Sequence, residues 1–589
     1  MITYAVDFES YYDTECSITT LGPRGYFSHP LFDAYMVTVV GDDGYVYAGC
    51  PREFDWAILN DHVVLSHNAS FDESLYLFGV ESGWWKSCTP QSWHCTADMT
   101  AFLGLPRSLK NASAAVLGLT IEKTTRDNMK GKRWETMTDD FKKEVTEYAV
   151  KDSELCLQLW NKLSDRWSDA ERNISLTNRR VGQRGLPIDT DLLKRNLEQI
   201  KTELFEAEQS IPWIQDYTPL SRKAFNEQCR KQGIEPPTSL AQDSEDADRW
   251  FAEHQKACPW ARAVQSYRRI NSFLKKLEAF NHGTMPNGRY YGGLMYCGAN
   301  PTARFSGSGG NLNLQNLPRD PMFGVNFRHM IKPKDGYKLI VADLSQIEVR
   351  TLCWLAKDTK ALDLIRDSED IYHAFGVLLG LHDPANGQLK EYDKNLRHKV
   401  KSIVLGCGYG MGPTKFSAFS KMDMAEAEVS VKTYREKMSS VVKLWRSLDK
   451  DMAMAYSLSE PFELDLPSGR SLRYGMLKRM RDAMSGGFRH IGKLIRNGQL
   501  RDFPLWGGIL TENLSQGLAR DIFADMMLRV DAAGFPVILH VHDEMVIEVP
   551  EAQAEEAFAK IMEIMHTPPD WIQDIPVAAE GHILDLYSK

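Results

Sequence analysis

Asp343 and Asp543 are the residues around which chemistry could be built. Asp343 opens the run Asp343-Leu344-Ser-Gln-Ile-Glu348-Val-Arg350, just after the strand-like Tyr337–Ala342. Asp543 stands in His542-Asp543-Glu544, after Phe535-Pro-Val-Ile-Leu539. Two carboxylates brought together from separate strands can hold a pair of divalent ions, which in-line phosphoryl transfer requires. The bland alternative for His-Asp-Glu is a polar hairpin. Against it, the flanking Val-Ile-Leu-His-Val and Met-Val-Ile-Glu-Val would bury both strands and leave the acids at the turn. A second set of acids lies near the amino end. Asp7 and Glu9, two apart on a strand, point to one face. Asp72 follows Asn68 by four residues, and Asp152 follows Tyr148 by four on a helical stretch, so the latter two share a face. Each of these pieces alone is weak, since a D-x-E on a strand is usually a solvated edge.

The elements that must position these groups can be read from periodicity. Residues 1 to about 165 alternate strands with helices: Ile2–Phe8, Tyr35–Val40, Tyr45–Gly49 and Val63–Ser66 as strands, Asp139–Leu163 as a helix, and Asp43-Gly44 as a hairpin signal. Residues 166–285 are helix-like and charged, broken by the polar loop after Glu235. Strands return at Arg289–Tyr296, followed by a Gly/Ser/Asn-rich loop to Pro318. After Asp343 the pattern is helical to about 460, and Pro467-Ser-Gly-Arg470 reads as a turn between two short strands. Strands close the chain around His542 and at Ile575–Leu584.

At 589 residues the chain exceeds one core and should divide into several domains. Its apolar runs are strand-sized, so none spans a bilayer, and Met1-Ile-Thr-Tyr-Ala-Val-Asp7 reads as a strand rather than a leader. Ten scattered cysteines without a C-x-x-C pair favour reduced thiols over disulfides or a zinc ribbon. The net charge of −9 argues at first against a nucleic-acid enzyme, but distribution matters more than the sum. From Leu466 to Arg501 there are nine Lys or Arg, among them Lys478, Arg479 and Arg481, against one acid, Asp482. Solvated faces usually mix signs, so this stretch is expected to track phosphates.

The two aspartate segments resemble motifs A and C of family A DNA polymerases, the polymerase I class. Between them Arg397-His-Lys-Val-Lys401-Ser-Ile-Val-Leu405-Gly-Cys-Gly-Tyr409 resembles motif B. The resemblance implies a right-hand polymerase over residues 166–589: an antiparallel palm sheet (about 286–350 and 502–589), helical fingers (about 351–501) and a helical thumb (about 190–285). It also implies two Mg²⁺, or Mn²⁺, held by Asp343, Asp543 and the Leu344 carbonyl, with Glu544 as an auxiliary carboxylate. Glu348 would be the steric gate that rejects a 2′-hydroxyl, a feature that argues against an RNA polymerase. Arg397, Lys401, Leu405 and Tyr409 recur every four residues on one helical stripe: the cationic end suits a triphosphate, the apolar end a base and the template. The family usually carries Phe or Tyr where Leu405 stands. Tyr372 and His373 compete for the place of a phosphate-contacting His. Arg304, Asn313, Gln315, Asn316, Gln516 and His542 fall in segments like the family's DNA contacts, with Ala303 replacing a glycine.

The ordered set D-x-E, N-x-x-x-D, Y-x-x-x-D resembles the three motifs of DEDDy proofreading 3′→5′ exonucleases. That likeness spans residues 1 to about 165 and implies a ribonuclease H-like α/β domain. In it Asp7, Glu9, Asp72 and Asp152 would hold two further metals, Tyr148 would orient the attacking water, and Asn68 would touch the DNA. The expected partners are primer–template DNA, dNTPs and a single-stranded 3′ end. The expected setting is a monomer in the cytoplasm of a bacterial host, in the style of phage-encoded enzymes without a preceding 5′-nuclease, with replisome or processivity partners beyond it. A nuclease whose hand only grips DNA, or a non-catalytic scaffold, would need degraded metal ligands, and none is degraded.

Overall fold

Thr3–Ser10 is the middle strand of a five-stranded sheet ordered Val46–Gly49, Ala34–Gly41, Thr3–Ser10, Val63–Ser66, Ser92–Cys95. The first three strands are antiparallel, and the last two run parallel to Thr3–Ser10. These features come from a computed structural model, which describes residues 1–119, 124–240, 244–307, 312–481, 487–496 and 498–588. Part of the polar loop after Glu235, the centre of the Gly/Ser/Asn-rich loop and Asp482 lie outside the described residues. Ala34–Gly41 is apolar along nearly its whole length and buried at every position, as a strand covered on both faces should be. The Asp43-Gly44 hairpin forms as expected, with Gly44 at φ 89°, a left-handed conformation that glycine adopts without penalty.

Helix Asp139–Leu163 begins where Thr138 accepts a hydrogen bond from the Phe141 N–H, with Asp139 and Asp140 in its first turn. Val145, Ala149, Ser153 and Cys156 form its buried stripe. Thr38 Oγ1 donates to the Ala149 carbonyl at 3.2 Å and meets Ser153 Oγ at 2.7 Å. This seam fixes the helix's rotation, and with it the direction of Tyr148 and Asp152.

The second sheet is antiparallel, in the order Val537–Val541, Glu544–Pro550, Tyr337–Leu344, Ala579–Leu584. Its centre, Leu339-Ile-Val-Ala342, has no solvent exposure. Helix Gly507–Ala532, buried along most of its length, and helix Ala554–His566 pack around this sheet. A separate core centred on helices between Val349 and Trp445 stands beside it, and a third, rich in aromatics (Trp213, Phe225, Trp250, Trp260), lies within 211–264.

Two features depart from expectation. The hairpin Pro461–Asp465/Ser471–Met476 and the three-stranded sheet Lys478–Arg481, Phe488–Arg496, Gln499–Leu505 belong to the sequence range assigned to the fingers. They instead bury Phe462, Leu472, Tyr474, Leu494 and Leu505 in the large core around the central sheet. Within the basic stretch, Arg470 is only 4% exposed and is bound to Asp521 at 3.0 Å, so it tracks no phosphate.

A buried ionic network ties helix Asp169–Arg184 to helix Gly507–Ala532 of the central unit. Arg520 donates to Glu171 (2.5 and 3.0 Å) and to Asp521 (3.2 Å), and Arg470 adds the Thr302 and Gly517 carbonyls, both at 3.1 Å. Removing one member would strand a charge in low dielectric, the costly way to break such a network. All ten cysteines are unpaired. Among the described residues no helix is long and apolar enough to cross a membrane.

Candidate active sites

Strand register builds the central site. Asp343 is paired directly with Glu544 across the sheet. The turn that carries Asp543 closes on it, with the Leu344 N–H donating to the Asp543 carbonyl at 3.1 Å. His542 sits at φ 58°, a left-handed conformation unusual for a residue with a side chain, and this tight reversal places Asp543 beside Asp343. Burial, then the neighbouring Asp343, pushes the Asp543 carboxyl up to about 7. Two acids this close cannot both ionise freely without a cation. A cavity of about 320 Å³ opens at this point, lined by Arg304, Gln315, Glu348, Gln516, His542 and Asp543 among others.

Glu348 lies on helix Ile347–Leu355, which starts from Gln346 at φ 44°. Arg304 donates to the Glu348 carboxylate at 2.8 Å. Ser515 Oγ donates to the Glu348 carbonyl at 2.8 Å and accepts from Tyr409 at 3.2 Å. Glu348, the end of the motif B stripe and the long central helix thus meet in one cluster. Ala303 has φ 59° and is buried, so this turn needs the conformation that the family's glycine supplies freely.

On helix Lys394–Cys407, Arg397 grips Asp370 with two hydrogen bonds (2.6 and 3.1 Å), and Tyr372 lies buried beneath its guanidinium, ring centroid 5.1 Å away. His373 accepts from the Leu389 N–H at 3.1 Å. Of the two candidates for the phosphate-contacting place, Tyr372 therefore lies under the motif B cations and His373 is engaged elsewhere. Lys401 is exposed, and Leu405 is 43% exposed rather than packed inside. Asn313 Oδ1 accepts from the Gln315 N–H at 3.0 Å, which caps the short turn Leu314–Asn316, and Gln516 donates to Glu512 at 3.3 Å.

The amino-terminal site gathers acids from three elements. Asp7 and Glu9 share a face of Thr3–Ser10, and Asp72, on helix Ala69–Glu81, accepts from the Phe8 N–H at 3.2 Å. Asn68 precedes that helix at φ 93°. Burial, then Glu9 and Asp152, raises the Asp7 carboxyl well above its usual range; burial, then Asp152, lifts Glu9 to about 8. Asp72 is raised by burial and Asp7, and Tyr148 by burial and Asp152. Among the described residues no three His, Cys, Asp or Glu side chains close into a preformed metal cage. Arg126, on helix Thr124–Met129, supplies a positive charge that lowers both Asp7 and Glu9, and its carbonyl accepts from the Tyr12 hydroxyl at 2.7 Å. No motif marks Arg126, nor Ser515 or Asp370, in the sequence.

Among the basic residues beyond Leu477, Lys478 contacts Asp502 at 3.4 Å, Arg479 lies 4.3 Å from the centroid of the 60%-exposed Phe488, and Arg481 is exposed.

Residues 191–458 match the family described as DNA polymerase family A. The chain is 25% identical to the DNA polymerase of Bacillus phage SP02, covering all of both chains. It is also 25% identical to the thermostable DNA polymerase I of Thermus filiformis, over 75% of this chain and 51% of that one. Its fold matches the POL domain of Pol1 from M. smegmatis, solved in complex with DNA primer-template and dNTP, at a TM-score of 0.71 and 18% identity, covering 100% of this chain and 96% of that one. The central sheet with aspartates at adjoining strand ends, walled by helices, is part of the fold that this match covers. The chain resembles family A DNA polymerases, through the family match at residues 191–458 and through the phage SP02 enzyme along its whole length.

Proposed function

We propose that this DNA polymerase extends a primer 3′ end by two-metal phosphoryl transfer at Asp343 and Asp543, and proofreads at a separate 3′→5′ exonuclease site in residues 1 to about 165. The observation that carries the reading is the meeting of Asp343 and Asp543 at one sheet end, beside a cavity edged by Glu348 and Gln516. A second set of four mutually repelling acids in a ribonuclease H-like unit supports the exonuclease.

Hard carboxylate oxygens gathered in small, buried clusters suit Mg²⁺ or Mn²⁺ at both sites. When bound, such ions activate the attacking oxygen and neutralise charge on the phosphoryl group. The chain does the rest. Asp343, the Leu344 carbonyl and Asp543 would hold the ions at the polymerase site, with Glu544 adjoining. Glu348 fills the space below the incoming sugar and excludes a 2′-hydroxyl. Lys401, and Arg397 once released from Asp370, face the triphosphate, while Leu405 and Tyr409 line the base. Arg304, Gln315, Asn316, Gln516 and His542 lie where the primer end would rest. At the other site Asp7, Glu9, Asp72 and Asp152 would hold the ions, Tyr148 would orient water, and Asn68 would lie beside the single strand. Arg479 and Arg481 sit on an exposed sheet face that suits a phosphate backbone. The similarity to a phage enzyme supports a role in replicating phage DNA within a bacterial host.

The test is primer extension on a defined template with matched and mismatched 3′ ends, in Mg²⁺ and in EDTA. Extension of matched ends and trimming of mismatched ones, both abolished by EDTA, is the expected result. Extension without any trimming would remove the exonuclease from the reading.

A further inference from the structure

We propose that Tyr587 is a positioning residue of the polymerase site: its hydroxyl, oriented by Arg328, holds the Glu544 carboxylate in place beside the paired aspartates. The proposal rests on reading Glu544 as an auxiliary carboxylate of that site. Tyr587 has no solvent exposure, and its hydroxyl donates to Glu544 Oε1. Arg328 Nη1 donates to the same hydroxyl oxygen at 3.0 Å, and the guanidinium carbon lies 4.8 Å from the tyrosine ring centroid. The backbone is held as well, since the Tyr587 N–H donates to the Ile331 carbonyl at 2.9 Å.

The chain of contacts has a direction. A guanidinium only donates and an ionised carboxylate only accepts, so the phenol between them must accept from Arg328 and send its proton to Glu544. A hydroxyl polarised by a cation is the stronger donor. The carboxylate it holds is nearly buried, follows Asp543 in the chain, and is registered opposite Asp343. Two adjacent acids repel it, and an untethered side chain would swing away from them. The tether to Tyr587 keeps it there.

A purely structural tyrosine would fill this core as well without the hydroxyl, because burying a phenol, a guanidinium and a carboxylate together is dearer than burying a phenylalanine. The three-residue relay is instead what a site needs when a charged group must be held where its neighbours disfavour it. Outer partners of this kind tune how first-contact ligands meet a metal.

The test uses the full chain with Tyr587→Phe, Glu544→Gln and the double variant. Single-nucleotide incorporation is followed against dNTP and Mg²⁺ concentration, alongside primer–template affinity and melting temperature. Tyr587→Phe is expected to lower kcat about tenfold and to raise the Mg²⁺ needed for half-maximal rate, with KM for dNTP and DNA affinity unchanged. The double variant should be no slower than Glu544→Gln alone, as coupled neighbours require. A normal Tyr587→Phe beside an impaired Glu544→Gln overturns the positioning role but leaves Glu544 in the site. Full activity of Glu544→Gln removes the reading of Glu544 itself, and the proposal with it. A Tyr587→Phe defect that multiplies with Glu544→Gln, with lowered melting temperature and weakened DNA binding, shows a structural clasp and also overturns it.

Discussion

The two acidic centres answer the same electrostatic problem differently. At the amino-terminal site four carboxylates converge from a strand and two helices, and the cation whose charge reaches Asp7 and Glu9 is Arg126 on a short helix. At the central site the two aspartates lie at the ends of paired strands, and the nearby Glu348 already has a cation of its own, Arg304 at 2.8 Å. The first centre is therefore charged almost to one sign, whereas the second mixes signs around an open cavity. A site that only hydrolyses needs room for a phosphate and water. One that selects nucleotides also needs groups that face sugar, base and triphosphate, and the proposed reading gives those tasks to residues of the central site.

The sharpest way to break this comparison is to remove one acid from each centre. Asp543→Ala should abolish extension and leave 3′→5′ degradation of single strands, while Asp7→Ala should do the reverse and raise misincorporation. Loss of both activities from either change, in a folded protein, would mean the centres are not independent. The next largest effect should come from Glu348→Ala, which opens the space a 2′-hydroxyl would occupy. The ratio of kcat/KM for rNTP and dNTP should rise by about tenfold or more; an unchanged ratio would reduce Glu348 to a partner of Arg304.

Leu405→Tyr tests the fingers side. Leu405 is half-exposed and has no donor to replace a missing 3′-hydroxyl, so the enzyme should prefer dNTP to ddNTP and the tyrosine should relax that preference. Terminator incorporation decides, and overpacking is not expected at a position this open.

The acid-rich centre should also show in stability. Glu9 titrates at about 8 in the fold, above its unfolded range, so the folded state holds the proton more tightly. Without metal, stability should therefore fall as pH rises from the ordinary carboxylate range through about 8, which follows from linkage. Melting temperatures in EDTA across that window should drop less in Glu9→Gln than in the parent, and equal slopes would contradict the raised affinity. The smallest effect belongs to Ala303→Gly, which relieves a left-handed alanine and should stabilise by about 1 kcal/mol in denaturant titration.

Much of this was legible because single elements carried it. The apolar runs around Asp343 and Asp543 announced strands with acids at their ends, and the Asp139–Leu163 periodicity announced the helix bearing Tyr148 and Asp152. What stayed hidden depended on residues far apart in sequence. Nothing local pairs Arg304 with Glu348, or Tyr587 with Glu544. Arg470 reads as one more surface cation, yet it is buried because Asp521, on another element, neutralises it. The sheet spanning Lys478–Leu505 is obscured by its charges, since few of its residues alternate as a half-buried strand should. Tyr372 and His373 were inseparable until helix Ile371–Leu378 fixed which of them lies beneath Arg397.

The pairing of Asp343 with Glu544 also sets how far this gene can drift in length. In strand Glu544–Pro550, Glu544 and Glu548 find partners in Tyr587 and Arg289, while Met545, Val546, Ile547 and Val549 fill the core. An insertion after Val541 that slipped this strand by one residue would turn Glu544 and Glu548 to the opposite face of the sheet, away from Tyr587 and Arg289, as it pulled Asp543 from Asp343. A substitution here acts at one position, whereas an in-frame codon gained or lost in this hairpin would displace every partner at once.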